Sequence, residues 1–202
     1  TDLGLTSVLI RESARDHASA EAFMNQILTL KAPLIAIAMS LSLAVAWATG
    51  TRGMALVMIA LRTLVLALDG ISLLFYGVLR GHHRLSYEGI GLVIGQTITL
   101  VLGVCVLKTG MPLQMLVLAL VAGSAWNALN SWRIVKKNLG LRPRFAWNRA
   151  LAGTIARSAL PFALAGVFVK IYTNADVVLL TKFAGEKAAG LYGVPYKLTF
   201  AF

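Results

Sequence analysis

The stretch Ser158–Leu180, SALPFALAGVFVKIYTNADVVLL, decides the fold class. It is long and apolar enough to cross a bilayer, which takes about 20 mostly apolar residues in a helix. Yet it carries Lys170 and Asp176. An ionisable group at such depth costs at least ~2.5–3.5 kcal/mol, so it faces protein or water and marks a transport path. Counted from a helix start at Ser158, Lys170 lies about 18 Å along the axis, near the bilayer centre and beyond snorkelling reach. Lys170 and Asn174 are four residues apart, as are Tyr172 and Asp176, so each pair stacks on one helix face. Pro161 falls in the first turn of this helix, where its missing N–H costs nothing. Beyond Lys182 a short polar turn leads to a second apolar run containing GLYGVPYK (Gly190–Lys197), in which Pro195 is expected to bend the helix.

The rest of the chain agrees with a membrane setting. Of its 202 residues 58% are hydrophobic and 13% charged. Soluble domains are about 45–50% apolar and about 25% charged. No period-2 alternation is present, so the spans are helices, not barrel strands. Apolar windows place them at Ile27–Ala48, Gly53–Leu79, Gly89–Leu107, Leu113–Ile134 and Ser158–Lys182. A further span starts at Ala188, and Thr1–Ile10 is the tail of an earlier one. Arg11–Gln26 is a mixed-charge amphipathic stretch between spans. A start on Thr1 and an apolar helix still under way at Phe202 lead to the expectation of the central part of a longer protein.

A net charge of +11 would suggest nucleic acid in a soluble protein. Here the cations sit between spans. Twelve Lys/Arg, from Arg11 and Lys31 to Arg149 and Arg157, fall on one side, against Arg52, Lys108, Lys182 and Lys187 on the other. The positive-inside rule therefore puts Arg11–Gln26, Arg80–Glu88 and Arg133–Arg157 in the cytoplasm and makes nucleic acid an unneeded partner. Residues 1–134 form one helical lobe, 135–157 a cytoplasmic linker and 158–202 the start of a second lobe. In the linker Trp147, Leu151 and Ile155 recur every four residues, the pattern of a short helix lying in the headgroup layer.

Several stretches resemble the polysaccharide and O-antigen (Wzx-type) flippases of the multidrug/oligosaccharidyl-lipid/polysaccharide exporter superfamily. PFALAGVFVKIYTNAD (Pro161–Asp176) followed by GLYGVPYK is similar to the family's seventh helix and the start of its eighth. GLTSVLIRESARD (Gly4–Asp16) is similar to the end of its second helix, and FYGVLRGHHRLSY (Phe75–Tyr87) to its fourth helix leaving through a Gly-x-x-Arg turn. The resemblance implies an all-α polytopic bundle, the central part of a two-lobed inverted-V transporter in the inner or plasma membrane. Its substrate would be a polyprenyl-diphosphate-linked oligosaccharide. Polysaccharide assembly proteins are implied as partners, besides the membrane lipids.

Outside the seventh helix, Gly53–Leu79 carries Arg62 and Asp69 seven residues apart, about 10 Å along one face, and Ser72 and Tyr76 continue the stripe. Such a stripe either lines a water-filled cavity or forms a structural pair bridged by a neighbour. Gly91, Gly95, Thr99 and Gly103 repeat every four residues, a seam for close helix packing, with Gln96 and Thr97 beside it. Ser124, Asn127, Asn130 and Ser131 share one side of the next helix and either bond a neighbouring helix or line a path. Arg62 and Lys170 are thus the anion-binding candidates, with Asn174 and Tyr172 as further substrate contacts. By the resemblance Lys197 joins them. Asp69 and Asp176 tune the cavity or bind a coupling cation, Na+ or H+.

No nucleophile–base motif, metal-ligand spacing or phosphate-binding glycine loop is present, and no cofactor is implied. His82 and His83 are neighbours in sequence and do not face one another on a helix. A lone Cys105 forms neither an internal disulfide nor a thiolate cluster. A transporter, not an enzyme, is expected. The alternatives are a multidrug or cation exporter of the same superfamily and a membrane-embedded sugar polymerase or ligase. The two complete outer loops, about Thr49–Arg52 and Lys108–Pro112, are short for the latter.

Overall fold

Apolar runs bounded by Gly and short polar turns give six helical elements among the described residues of the computed structural model, the last of them two helices joined at a kink. They are α1 (Leu5–Arg15), α2 (Ala20–Ala48), α3 (Met54–Gly81), α4 (Leu85–Lys108), α5 (Met115–Asn138) and α6 (Arg149–Thr199). The structure describes the backbone of residues 2–112 and 114–199, and the side chains of these except 170, 174, 176–178, 184 and 186–199. Helices α2 to α5 and the Arg149–Thr173 part of α6 are each long and apolar enough to cross a membrane. Their outward faces (Ile37, Leu41 and Val45 on α2; Val93, Leu100 and Val101 on α4) are exposed within the chain, as lipid-facing surfaces are. The protein is a multi-pass helical bundle.

One densely packed core lies toward the end of the bundle that carries the α1–α2 turn and the linker. Leu5, Val8 and Leu9 of α1 meet Met24 and Ile27 of α2, Leu74, Phe75, Val78 and Leu79 of α3, Val135 of α5, and Ile155 and Ala159 of α6. Helix α6 packs on α1 and α2, whereas α5 packs against both α3 and α4. Gly77 and Gly81 set the approach of α3 to α1, since a Cβ on them would crowd Thr6 and Ser13.

Five expectations need correction. Arg11–Gln26 is not one interfacial stretch: α1 runs to Arg15, and α2 starts at Ala20 after a turn of four residues. Polar Asn25 and Gln26 lie inside α2 because the linker covers them. Lys31, counted with the cytoplasmic cations although the Ile27–Ala48 window contains it, is an interior and buried residue of α2.

The linker holds no separate headgroup-layer helix. Arg149 begins a helix that continues into the span, with buried Ala152, Ile155 and Ala159 facing the core. Pro161 is therefore interior and not first-turn, and it withdraws the N–H that would pair with Arg157 O. Lys170 lies about 32 Å, not 18 Å, from this helix's start. The expected break before Ala188 is present: two helical segments of α6 meet at a kink at Gly185, whose φ of 84° and ψ of 170° glycine adopts freely.

Residues 139–148 cross from α5 to α6 without helix or strand, held by the side chains of α2. Asn25 Oδ1 accepts from Arg144 N at 2.8 Å, Thr29 Oγ1 from Ala146 N at 3.0 Å, and Gln26 Oε1 from Asn148 N at 2.7 Å. Alternate amides of the linker are satisfied as an adjacent strand would satisfy them. Pro33, four residues beyond Thr29, removes one helical N–H beside this contact.

Candidate functional site

Between α3, α4 and α5 lies a cavity of about 510 Å³. The α3 stripe Arg62, Asp69, Ser72, Tyr76 and Arg80 forms one wall, Glu88, Gly95, Gln96 and Thr99 of α4 the second, and Gly123, Ser124 and Asn127 of α5 the third. Spacings of three, four and seven place the α3 residues on one face. Arg62 lies about 12 Å along α3 from Met54, and Asp69 about 18 Å from the other end of the helix at Gly81. Both are exposed, and neither forms an ion pair with a described residue.

Packing fixes the floor. Tyr76, 2% exposed, donates its hydroxyl to Asn127 Oδ1 at 3.2 Å. The glycine seam of α4 serves close approach. A Cβ on Gly91 would overlap the Tyr76 hydroxyl, one on Gly95 the Asn127 amide, and one on Gly123 of α5 the Thr99 hydroxyl. Thr99 Oγ1 donates within its own helix to Gly95 O at 3.1 Å. Thr97 points its hydroxyl to Val93 O and lines only a shallow outer groove.

At the Gly81 end of α3, Arg80 and Glu88 form a two-pronged ion pair across the α3–α4 turn, with Arg80 Nε donating to Glu88 Oε2 at 2.6 Å and Nη2 to Oε1. They neutralise each other, so the free charges of the cavity are Arg62 and Asp69. The cavity thus has an unpaired guanidinium toward the Met54 end of α3, a carboxylate near the middle of that helix and amides on the facing walls. It can receive an anionic group at Arg62 and a cation or proton at Asp69.

The other candidates lie elsewhere. Tyr172 is on α6 and 81% exposed, away from the cavity. Lys170, Asn174, Asp176 and Lys197 lie outside the described side chains. Asn130 comes close to Gly91 and Tyr76, and Ser131 donates to Ala128 O, so both serve packing.

Sequence reading missed two polar contacts. Lys31 Nζ lies 2.7 Å from Asp2 Oδ1, which also accepts from Thr6 Oγ1 at 2.5 Å. The partners are 29 residues apart, and neither segment has a motif that announces the pairing. His17 and His82 stack at 4.3 Å between centroids, joining the C-terminal ends of α1 and α3, and each ring's Nδ1 meets a helical carbonyl oxygen. In the exposed turn nearby, the Ala18 N–H donated to Asp16 holds that carboxyl below its ordinary range.

No curated protein and no solved structure matches the chain. The chain belongs to the polysaccharide biosynthesis protein family, whose model matches residues 1–202, and its role lies in the synthesis or export of polysaccharide.

Proposed function

We propose that the protein is a flippase carrying a polyprenyl-diphosphate-linked oligosaccharide from the cytoplasmic to the outer leaflet by alternating access, and not an enzyme. The observation that carries this reading is the polar cavity between α3, α4 and α5, with Arg62 unpaired in it, inside a membrane bundle of a polysaccharide family. A guanidinium holds a phosphate oxygen pair as a two-pronged fork, and a partly dehydrated cavity strengthens the contact. Lys170, Asn174, Tyr172 and Lys197 belong to α6, which packs on α1 and α2. In this proposal they complete the anion site when the two bundles close on one another, and Asp69 and Asp176 bind a coupling Na+ or H+. A cytoplasm-negative potential adds ~2.3 kcal/mol per outward-moving negative charge per 100 mV.

Arg62→Ala, expressed at normal level in cells lacking the native copy, should abolish surface polysaccharide, and Arg62→Lys should keep part of it. Full polysaccharide in Arg62→Ala cells would remove Arg62 from the pathway.

A further inference from the structure

A second concave site lies at the cytoplasmic end of α5, where the linker turns back beneath it. It measures about 400 Å³ and is lined by Trp132 and Lys136 of α5 and by Arg142, Pro143 and Arg144 of the linker. Lys136 Nζ stands 5.3 Å from the Trp132 ring centroid, a cation–π contact that orients the ammonium. Arg144 is held through its backbone, whose N–H donates to Asn25 Oδ1 of α2, so its side chain is free of that duty. None of the three cations forms an ion pair with a described carboxylate. Three positive charges converging without a counter-charge call for an anion from outside the chain.

The surroundings identify the kind of anion. Trp132 is 38% exposed, Phe145 72% and Trp147 65%, so aromatic rings flank the cations along the linker. Exposed aromatics interleaved with basic residues at the end of a spanning helix are the composition of the headgroup layer. A soluble anion gains nothing from those rings, whereas a lipid presents acyl carbon to them and phosphate to the cations.

We propose that this pocket binds the phosphate of an anionic phospholipid of the cytoplasmic leaflet. Lys136, Arg142 and Arg144 contact the phosphate oxygens, and Trp132 packs on the glycerol and upper acyl chain. A bound lipid would pin the linker beneath α5. The site is separate from the cavity between α3, α4 and α5, and the inference is independent of what that cavity carries.

The test uses the full-length protein in nanodiscs of phosphatidylcholine, with phosphatidylglycerol titrated in and binding read by native mass spectrometry. Phosphatidylglycerol should bind and phosphatidylcholine should not. The triple variant Lys136→Gln/Arg142→Gln/Arg144→Gln should weaken the binding by at least about tenfold. A control with the same loss of charge outside the pocket, Arg133→Gln/Lys137→Gln/Arg149→Gln, should change it by less than about threefold. Equal weakening by both triple variants would reduce the effect to general surface charge and overturn the site. Full retention in the pocket variant, or displacement of the lipid by millimolar inorganic phosphate, would overturn the lipid assignment.

Discussion

Lys31 is 1% exposed, and the Asp2 carboxylate compensates its charge. Removing one partner of a buried pair leaves the other uncompensated, at about 3–5 kcal/mol when both are fully enclosed. Asp2 keeps a third of its side chain accessible, so Lys31→Met should destabilise the protein by about 2–4 kcal/mol. The double variant Asp2→Asn/Lys31→Met should regain most of the loss. Thermal unfolding of the full-length protein in detergent measures both, and an unchanged midpoint for Lys31→Met would show that the pair contributes nothing. The same residue marks a limit of sequence reading. A lysine two positions before Pro33, at the start of an apolar run, has the look of a loop cation, because burial depends on a partner in another helix. Arg62 and Asp69 were legible as neighbours on one face because seven residues make nearly two full turns. That both open into a cavity depends on α4 and α5, which no local spacing encodes.

At the scale of elements, span number and order follow directly from apolar windows, because hydrocarbon requires about 20 apolar residues whatever their neighbours. Helix ends were less legible. Ala20–Gln26 reads as part of an amphipathic stretch between spans and Trp147–Ile155 as a short separate helix, but Ala20–Gln26 and the residues from Arg149 on run on into the spans because the core and the linker occupy their buried faces. The linker contact illustrates this. Asn25, Gln26 and Thr29 spend their side chains on backbone amides more than a hundred residues away. Each such bond contributes about 0.5–1.5 kcal/mol, so Asn25→Ala and Gln26→Ala should speed hydrogen exchange at Arg144 and Asn148 respectively by up to about tenfold. Exchange at the α5 amides Gly123–Asn127 should not change. Unaltered exchange at Arg144 and Asn148 would mean that the linker is held by other contacts.

At the scale of the whole molecule, orientation and route are the claims at stake. Without the buried Lys31, the positive-inside rule still sets eleven cations on the expected cytoplasmic side against four on the other. Labelling positions follow from the structure. Gly81 is unsuitable, since a side chain there would run into Ser13; Arg84, Lys137 and Met111 are exposed. In a background where exposed Cys105 is replaced by Ser, cysteines at Arg84 and Lys137 should label only from the cytoplasm, and one at Met111 only from outside. Labelling of Met111→Cys from inside would invert the topology.

Transport itself is tested most directly in liposomes. The full-length protein is reconstituted into vesicles containing a labelled polyprenyl-diphosphate oligosaccharide, and the fraction open to a membrane-impermeant glycosidase is followed in time. The wild type should expose the inner-leaflet pool, taking the accessible fraction well beyond the outer-leaflet share, and Arg62→Ala should leave it at the protein-free level. An accessible fraction that the wild-type protein does not raise above empty vesicles would contradict the flippase reading.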